Sequence, residues 1–205
     1  MGQVRCSIAM SLDGFSAGPG QSEQDPLGKG GMQLHQWAFD VWGGAENASA
    51  AVLEETTANV GAYILGRNMF GGRGDWGDAP WRGWWGENPP YHTPVFVVTH
   101  HAREPLPMEG GTTFHFVTDG IEAALARARE AAGDKDVVLG GGAQLVQQYL
   151  RAGLLDELQV NLVPVLLGSG SRLLDDLDGA NITLERLRVV EAPGVTHLKF
   201  RVARS

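Results

Sequence analysis

Apolar residues recur along the chain with two different periods. Over 4–12 ("VRCSIAMSL"), 62–66 ("AYILG"), 94–100 ("PVFVVTH") and 112–118 ("TTFHFVT") they alternate with polar ones or run together, which predicts strands. The runs at 136–139 and 156–167 ("DELQVNLVPVLL") predict two more. Between these, the spacing turns helical. Residues 34–42 ("LHQWAFDVW") set aromatics along one side, and Asn47 is placed to cap a second helix to about Asn59, with Val52, Leu53 and Val60 inward. Asp119 followed by Glu122 has the capping-box spacing for a helix ending at Gly133. From Ala143 on, Leu145, Val146, Tyr149 and Leu150 predict a helix over 143–152, stopped by Gly153. Two last runs, "ITLERLRVVEA" and "VTHLKFRVA", join through Pro193-Gly194 as an antiparallel pair. The alternation predicts an α/β fold: a mostly parallel central sheet flanked by helices, with a C-terminal antiparallel hairpin. No repeat, low-complexity tract or linker interrupts it, so one domain over 1–205 is expected.

Composition narrows the partners. A formal charge of −8 with no basic tract argues against nucleic acid. No run approaches the ~20 apolar residues that span a bilayer, and the N-terminus lacks a signal-like charged and apolar pair of segments; no membrane partner and a cytoplasmic location are expected. Cys6 is the single cysteine, so no internal disulfide can form; its place in the first strand predicts a buried, inert thiol. Glycine is the departure, at 29 of 205 residues against an average near 7%. The glycines gather at 14–31, 71–86, 140–142 and 168–170, which reads as shaped loops.

In an open α/β sheet, ligands lie beyond the carboxyl ends of the strands. Three such ends carry suitable residues. One strand ends in Gly66, Arg67 and Asn68, another in Thr99, His100 and His101, and a third in Gly140, Gly141 and Gly142 before the helix at Ala143. Arginine offers a planar fork to phosphate, and a helix N-terminus behind bare glycine backbone offers free N–H groups. The glycine turn also has a plain reading, a tight bend that packs a helix onto a sheet. No P-loop occurs, and Leu145 stands where a Rossmann fingerprint needs its last small residue. His100 and His101 are adjacent and would point to opposite faces of a strand, and neither HExxH nor a cysteine cluster is present; no metal is expected.

Six tryptophans fall between the first and third main strands. They are either ordinary core and loop anchors or the wall and lid of a pocket for a flat ligand, with Trp37, Trp81, Trp84 and Trp85 the candidates for substrate contact. Loop 67–93, where most of them lie, is too irregular to be an element and long enough to have a function. Asp13, Glu23, Asp25 and Asp40 are the acids that could supply or relay a proton; spacing singles out none of them, and Asp13 and Asp40 stand as the catalytic candidates.

With these residues in view, the chain resembles the dihydrofolate-reductase-like fold. Within it, the chain is similar to the family named for the C-terminal reductase domain of the bifunctional riboflavin-biosynthesis enzyme. The resemblance rests on "SLDG" at 11–14, "ILGRNMF" at 64–70, "VFVVTH" at 95–100, "VVLGGGAQLVQQYL" at 137–150 and "LLDELQVNLVPVLLGSG" at 154–170. It implies NADPH laid across the strand ends. Arg67, beside Gly66 and Asn68, would face the adenosine 2′-phosphate, with Thr99 and His100 at the adenosine end. Gly140, Gly141, Gly142, Ala143 and Gln144 would hold the pyrophosphate, and Asp13 and Gly14 would open the loop over the nicotinamide. Leu139 stands where the riboflavin-pathway reductase has a glutamate, which points away from its ribosylamino-pyrimidine substrate. The resemblance implies an NADPH-dependent oxidoreductase that transfers a hydride to a small planar unsaturated substrate. The alternative is a nucleotide- or small-molecule-binding protein that keeps the cleft without turnover. A homodimer is a further expectation of the resemblance.

Overall fold

The computed structural model describes residues 2–71, 76, 81–177 and 179–204. Along them run β1 (Val4–Ser11), β2 (Phe15–Ala17), α1 (Gln36–Trp42), α2 (Ala48–Thr57), β3 (Val60–Gly66), α3 (Arg67–Phe70), β4 (Pro94–Val98) and β5 (Leu106–Pro107). There follow β6 (Thr113–Val117), α4 (Gly120–Ala132), β7 (Asp136–Gly141), α5 (Ala143–Arg151), β8 (Glu157–Val163), β9 (Ser171–Arg172), β10 (Ile182–Ala192) and β11 (Val195–Arg204). Nine of these strands form one sheet in the order β10-β11-β8-β1-β7-β3-β4-β6-β5; β2 and β9 pair separately. From β8 to β6 every neighbour is parallel, and β11, β10 and β5 are antiparallel additions at the two edges.

The central strands read as near-continuous apolar runs because both sheet faces are covered. On one face α4 and α5 pack Ala124, Leu125, Leu145, Val146 and Tyr149 against Val4, Cys6, Ile64, Leu139 and Leu158. The other face is covered in two pieces. Over β1, β8 and β11, helices α1 and α2 bring Trp37, Ala38 and Leu53 onto Ala9, Val163 and Val195. Over β3, β4 and β6, the aromatic residues of 76–91 pack on Leu65, Phe70, Val95, Val97 and Phe114. The strip between the two pieces is where the cleft described below opens.

Local chemistry explains the departures from the predicted elements. Asn47 does cap α2, its side-chain oxygen accepting from the Ser49 N–H at 2.8 Å. Asp119 makes no such cap for α4; its carboxylate takes the Arg127 guanidinium at 2.8 Å instead. The strand expected over 156–167 stops at Val163, because Pro164 has no N–H to give the ladder. The helix expected at 34–42 starts as a 3-10 turn over Gly31–His35. Of loop 67–93, residues 72–75 and 77–80 lie outside the described residues, and α3 is a single helical turn at its start. Cys6 is buried in the core, which pushes its thiol up to about 12 and leaves it inert.

Candidate functional site

The sheet contains a split. β1 pairs with β7 only at Val4↔Val137, Arg5↔Val138 and Cys6↔Leu139, whereas it stays paired with β8 as far as Ser11. Beyond Cys6 the two strands part, and Ser7, Ile8 and Ala9 line, with Gly140 and Gly141, a cleft of about 1210 Å³. Pockets for drug-sized ligands occupy roughly 300–1,000 Å³, so this one has room for a longer molecule.

Each glycine of the corner is there for a different reason. A Cβ on Gly140 would lie 2.4 Å from Leu65 Cδ2, so the residue is small to let β3 pack. Gly141 has φ +101°, a left-handed backbone. A Cβ on Gly142 would meet nothing within 4 Å. The protein's own packing does not require that last glycine; it leaves bare backbone facing the cleft. Directly behind it α5 begins with no side-chain cap, and Gly142 O takes the N–H groups of Leu145 and Val146. The N–H groups of Ala143 and Gln144 therefore have no intrahelical partner and sit at the positive end of the helix. The peptide between Gly141 and Gly142 is cis.

The other two predicted strand ends meet this corner. A Cβ on Gly66 would sit 3.4 Å from Gly142 N and 3.5 Å from Leu145 Cβ, so the end of β3 rests against the glycine turn. Arg67 and Asn68 follow on the cleft wall. Arg67 donates to Gly71 O and stacks 3.6 Å over the Trp76 ring, with Arg103 4.9 Å from the same ring. Burial and the Arg103 charge both lower its pKa, so the two guanidinium groups concentrate positive charge within an acidic chain. Thr99 is buried, and its Oγ1 accepts from the His101 N–H at 3.1 Å, which fixes the turn carrying exposed His100. The cleft also takes in Thr118 and Gly120 beyond β6. Sequence reasoning missed this fourth strand end, although "VTDG" carries the same signal as the other three.

The two candidate acids lie elsewhere. Asp13 accepts from Ser11 Oγ at 2.6 Å and from the Gly168 and Leu167 N–H groups at 2.7 and 3.1 Å. Those bonds, that from Ser11 foremost, hold its pKa down to about 2. It ties the turn after β1 to the chain after β8, and neither Asp13 nor Gly14 is on the cleft wall. Asp40 is exposed and accepts from Gln36 on its own helix. The acids that do line the cleft, Asp175 and Asp176, are both exposed.

Of the four tryptophans, Trp37, Trp84 and Trp85 line the cleft and Trp81 does not. Trp81 gives its N–H to Phe70 O at 2.8 Å and packs edge-on against Trp84 with ring centroids 4.5 Å apart, which makes it a loop anchor. Phe39 and Trp42, one helical turn apart on α1, are exposed and tilted together at 5.6 Å on the rim. A pattern that sets aromatics along one side of a helix does not say which of them stay exposed.

A buried polar group closes the floor beside α2. Ala9, Asn161 and His197 are paired in register across β1, β8 and β11, with Ser7 opposite Gln159 one step along. His197 Nδ1 lies 2.7 Å from Asn161 Oδ1, and its Nε2 lies 2.9 Å from Ser49 Oγ. The Trp37 ring packs edge-on against it at 4.8 Å. Burial, and to a lesser degree Arg188, pushes the His197 pKa down to about 4. The folded protein therefore binds one proton fewer than the unfolded chain between about pH 4 and 6.5. Stability from this site is fully present above pH 6.5 and falls as the pH drops toward 4, by on the order of 2–3 kcal/mol. Urea denaturation at pH 7, 6 and 5 is expected to show the decline, and His197→Gln to flatten it. The alternation of polar residues in "ELQVNLV" of β8 was the available signal for this floor.

Residues 3–198 match the family described as the RibD C-terminal domain. A putative riboflavin biosynthesis protein from Shewanella sp. PV-4 superposes with a TM-score of 0.66 at 22% identity, covering 100% of both chains. Dihydrofolate reductase from Enterococcus faecalis, complexed with NADP(H) and RAB-propyl, gives a TM-score of 0.56 at 15% identity over 98% of this chain and 97% of that one. At these identities the likeness is one of fold. The uncharacterized protein YwjB of Bacillus subtilis (strain 168) is 34% identical over 73 residues, which is 36% of this chain and 40% of that protein. The match therefore spans less than half of the relative's length. The chain belongs to the RibD C-terminal domain family, built on the dihydrofolate-reductase-like fold.

Proposed function

We propose that the protein is an NADPH-dependent reductase of a small, planar, unsaturated substrate of pterin, pyrimidine or related heterocyclic type. The observation that carries this reading is the open corner at Gly142. Bare backbone there faces the cleft, the uncapped end of α5 stands behind it, and among the described residues no atom lies within 4 Å of where a Cβ would be. These features suit an anionic diphosphate, and a member of the same fold is complexed with NADP(H). The Ala143 and Gln144 N–H groups would hold the pyrophosphate, and Arg67 would meet the 2′-phosphate. When bound, the nicotinamide would supply a hydride to an electron-poor carbon.

The chain's own contribution is to orient the substrate and keep water away. Trp37, Trp84 and Trp85 provide flat apolar wall against which a ring gains by stacking. Asp13 is held ionised by its hydrogen bonds and lies off the wall, and Asp40 is on the surface, which argues against either as the proton source. Water entering past exposed Asp175 and Asp176 is the source that this geometry favours.

Titrating NADPH while following tryptophan emission tests the binding, and loss of NADPH absorbance with quinones, imines and pterins tests turnover. Binding without turnover across that panel would favour the non-catalytic alternative; absence of NADPH binding would overturn the reading. Arg67→Ala is expected to weaken NADPH at least tenfold, about 1.4 kcal/mol, and to leave NADH within twofold. An equal loss for both would contradict the 2′-phosphate role.

A further inference from the structure

We propose that Ser7 is the specificity-determining residue of the substrate end of the cleft, a hydroxyl that can only donate. It would select planar ligands that present a lone-pair acceptor, a ring nitrogen or a carbonyl oxygen, next to the bond to be reduced. The assignment of that ligand as a substrate rests on the reductase reading above.

Ser7 lies just past the last residue of β1 that pairs with β7, on the cleft wall. Its Oγ accepts from Gln159 Nε2 and from Asn161 Nδ2, both at 3.1 Å. A serine hydroxyl has two acceptor positions and one proton. With both acceptor positions taken, the proton must find an acceptor elsewhere, and among the described residues no side-chain or backbone acceptor is bonded to it.

The direction of these bonds is fixed by the groups behind them. Asn161 Oδ1 accepts from Gln159 Nε2 at 3.3 Å and from His197 Nδ1 at 2.7 Å, which leaves His197 Nε2 to accept the Ser49 hydroxyl proton. Turning the Asn161 amide alone would set its NH2 against that of Gln159. Turning Gln159 alone would set two carbonyl oxygens together. Turning both would leave two carbonyl oxygens competing for the single Ser7 proton. Only the observed arrangement satisfies every contact, and it makes Ser7 the donor. Gln159, Asn161, His197 and Ser49 are all buried, so the arrangement is held by packing on every side. Ser7 also touches a void of about 20 Å³ lined by Arg5, Glu55, Glu157 and Lys199 among others, which has room for about one water and none for a ring. The cleft is therefore where the acceptor of a planar ligand can reach the proton.

A donor locked in one direction discriminates strongly, because a ligand without an acceptor leaves it desolvated and unpaired. The test uses two isosteric neutral rings, quinazoline with ring-nitrogen acceptors and naphthalene with none. Binding of each is followed by quenching of tryptophan emission in the wild type, Ser7→Ala and Ser7→Thr. The ratio of quinazoline to naphthalene affinity is expected to fall at least tenfold in Ser7→Ala and to return in Ser7→Thr, with NADPH affinity within twofold throughout. Comparing ratios cancels any general loosening of the pocket. An unchanged ratio in Ser7→Ala, or a wild type that fails to bind quinazoline, overturns the proposal. If NADPH does not bind while the Ser7-dependent ratio persists, the reductase reading falls and the recognition role of Ser7 stands.

Discussion

Gly142→Leu is expected to weaken NADPH at least a hundredfold, about 2.7 kcal/mol, while the thermal midpoint moves by no more than about 2 °C. The expectation follows from what surrounds the position. Its backbone is at φ −78° and ψ −167°, which any residue adopts, and a Cβ there meets nothing within 4 Å among the described residues. A leucine would enter the space that a diphosphate needs and cover the N–H groups at the start of α5. Gly140→Ala is the contrasting control. Its methyl would press on fully buried Leu65 at 2.4 Å, and overpacking of this kind costs about 1–3 kcal/mol in stability. Isothermal titration and thermal melts of both variants separate the two roles. If Gly142→Leu melts early, or binds NADPH like the wild type, the corner is a structural bend and nothing more.

The largest effect on stability is expected at Phe70. This ring is fully buried at the end of α3 and meets Phe114, Phe116 and Trp76 edge-on at 5.0, 5.3 and 5.8 Å. Removing a ring from such a site costs about 3–5 kcal/mol, from lost burial plus the cavity left behind. Here the loss extends to the cleft. The Phe70 carbonyl accepts from Trp81 and the Met69 carbonyl from Trp84, so one turn of helix holds the aromatic cover by its backbone and its core by a side chain. Phe70→Ala is therefore expected to lower the urea midpoint and also to weaken stacking ligands, whereas Phe70→Leu retains most of both. A variant that loses stability yet binds aromatic ligands unchanged would show that the cover does not depend on this anchor.

Much of the fold was legible because its signals are local and mutually consistent. The runs of β3, β4 and β7, the Asn47 cap and the helical spacing after Ala143 each specify an element without help from the rest of the chain. The corner at Gly142 was legible as a meeting of strand ends for a related reason: strand-end glycines and Arg67 carry meaning in sequence order, and the structure sets Gly66 against Gly142. The surroundings of the acids were not legible, because some of their partners are remote or unexpected. The carboxylate of Asp13 is held by backbone N–H groups more than 150 residues away. Asp119 found Arg127 in place of a cap. The polar floor was missed because Ser7, Gln159, Asn161 and His197 come from three strands, and only the registers of β1, β8 and β11 bring them together.

The parting of β1 from β7 also governs what the family scaffold can accommodate. Among the described residues, three pairs, with the Val137 N–H donating to Gln3 O at their start, make up the ladder that joins the two halves of the sheet, and the corner at Gly142 lies at the far end of that short seam. The spacing between the halves is thus set by the shared apolar layer under α4 and α5, to which Val4, Leu158 and Ile64 all belong, and hardly by the ladder itself. Exchanging a side chain in that layer changes the gap without breaking a single main-chain bond. A groove whose width is governed in this way can be refitted to thicker or thinner rings by a few substitutions far from the chemistry.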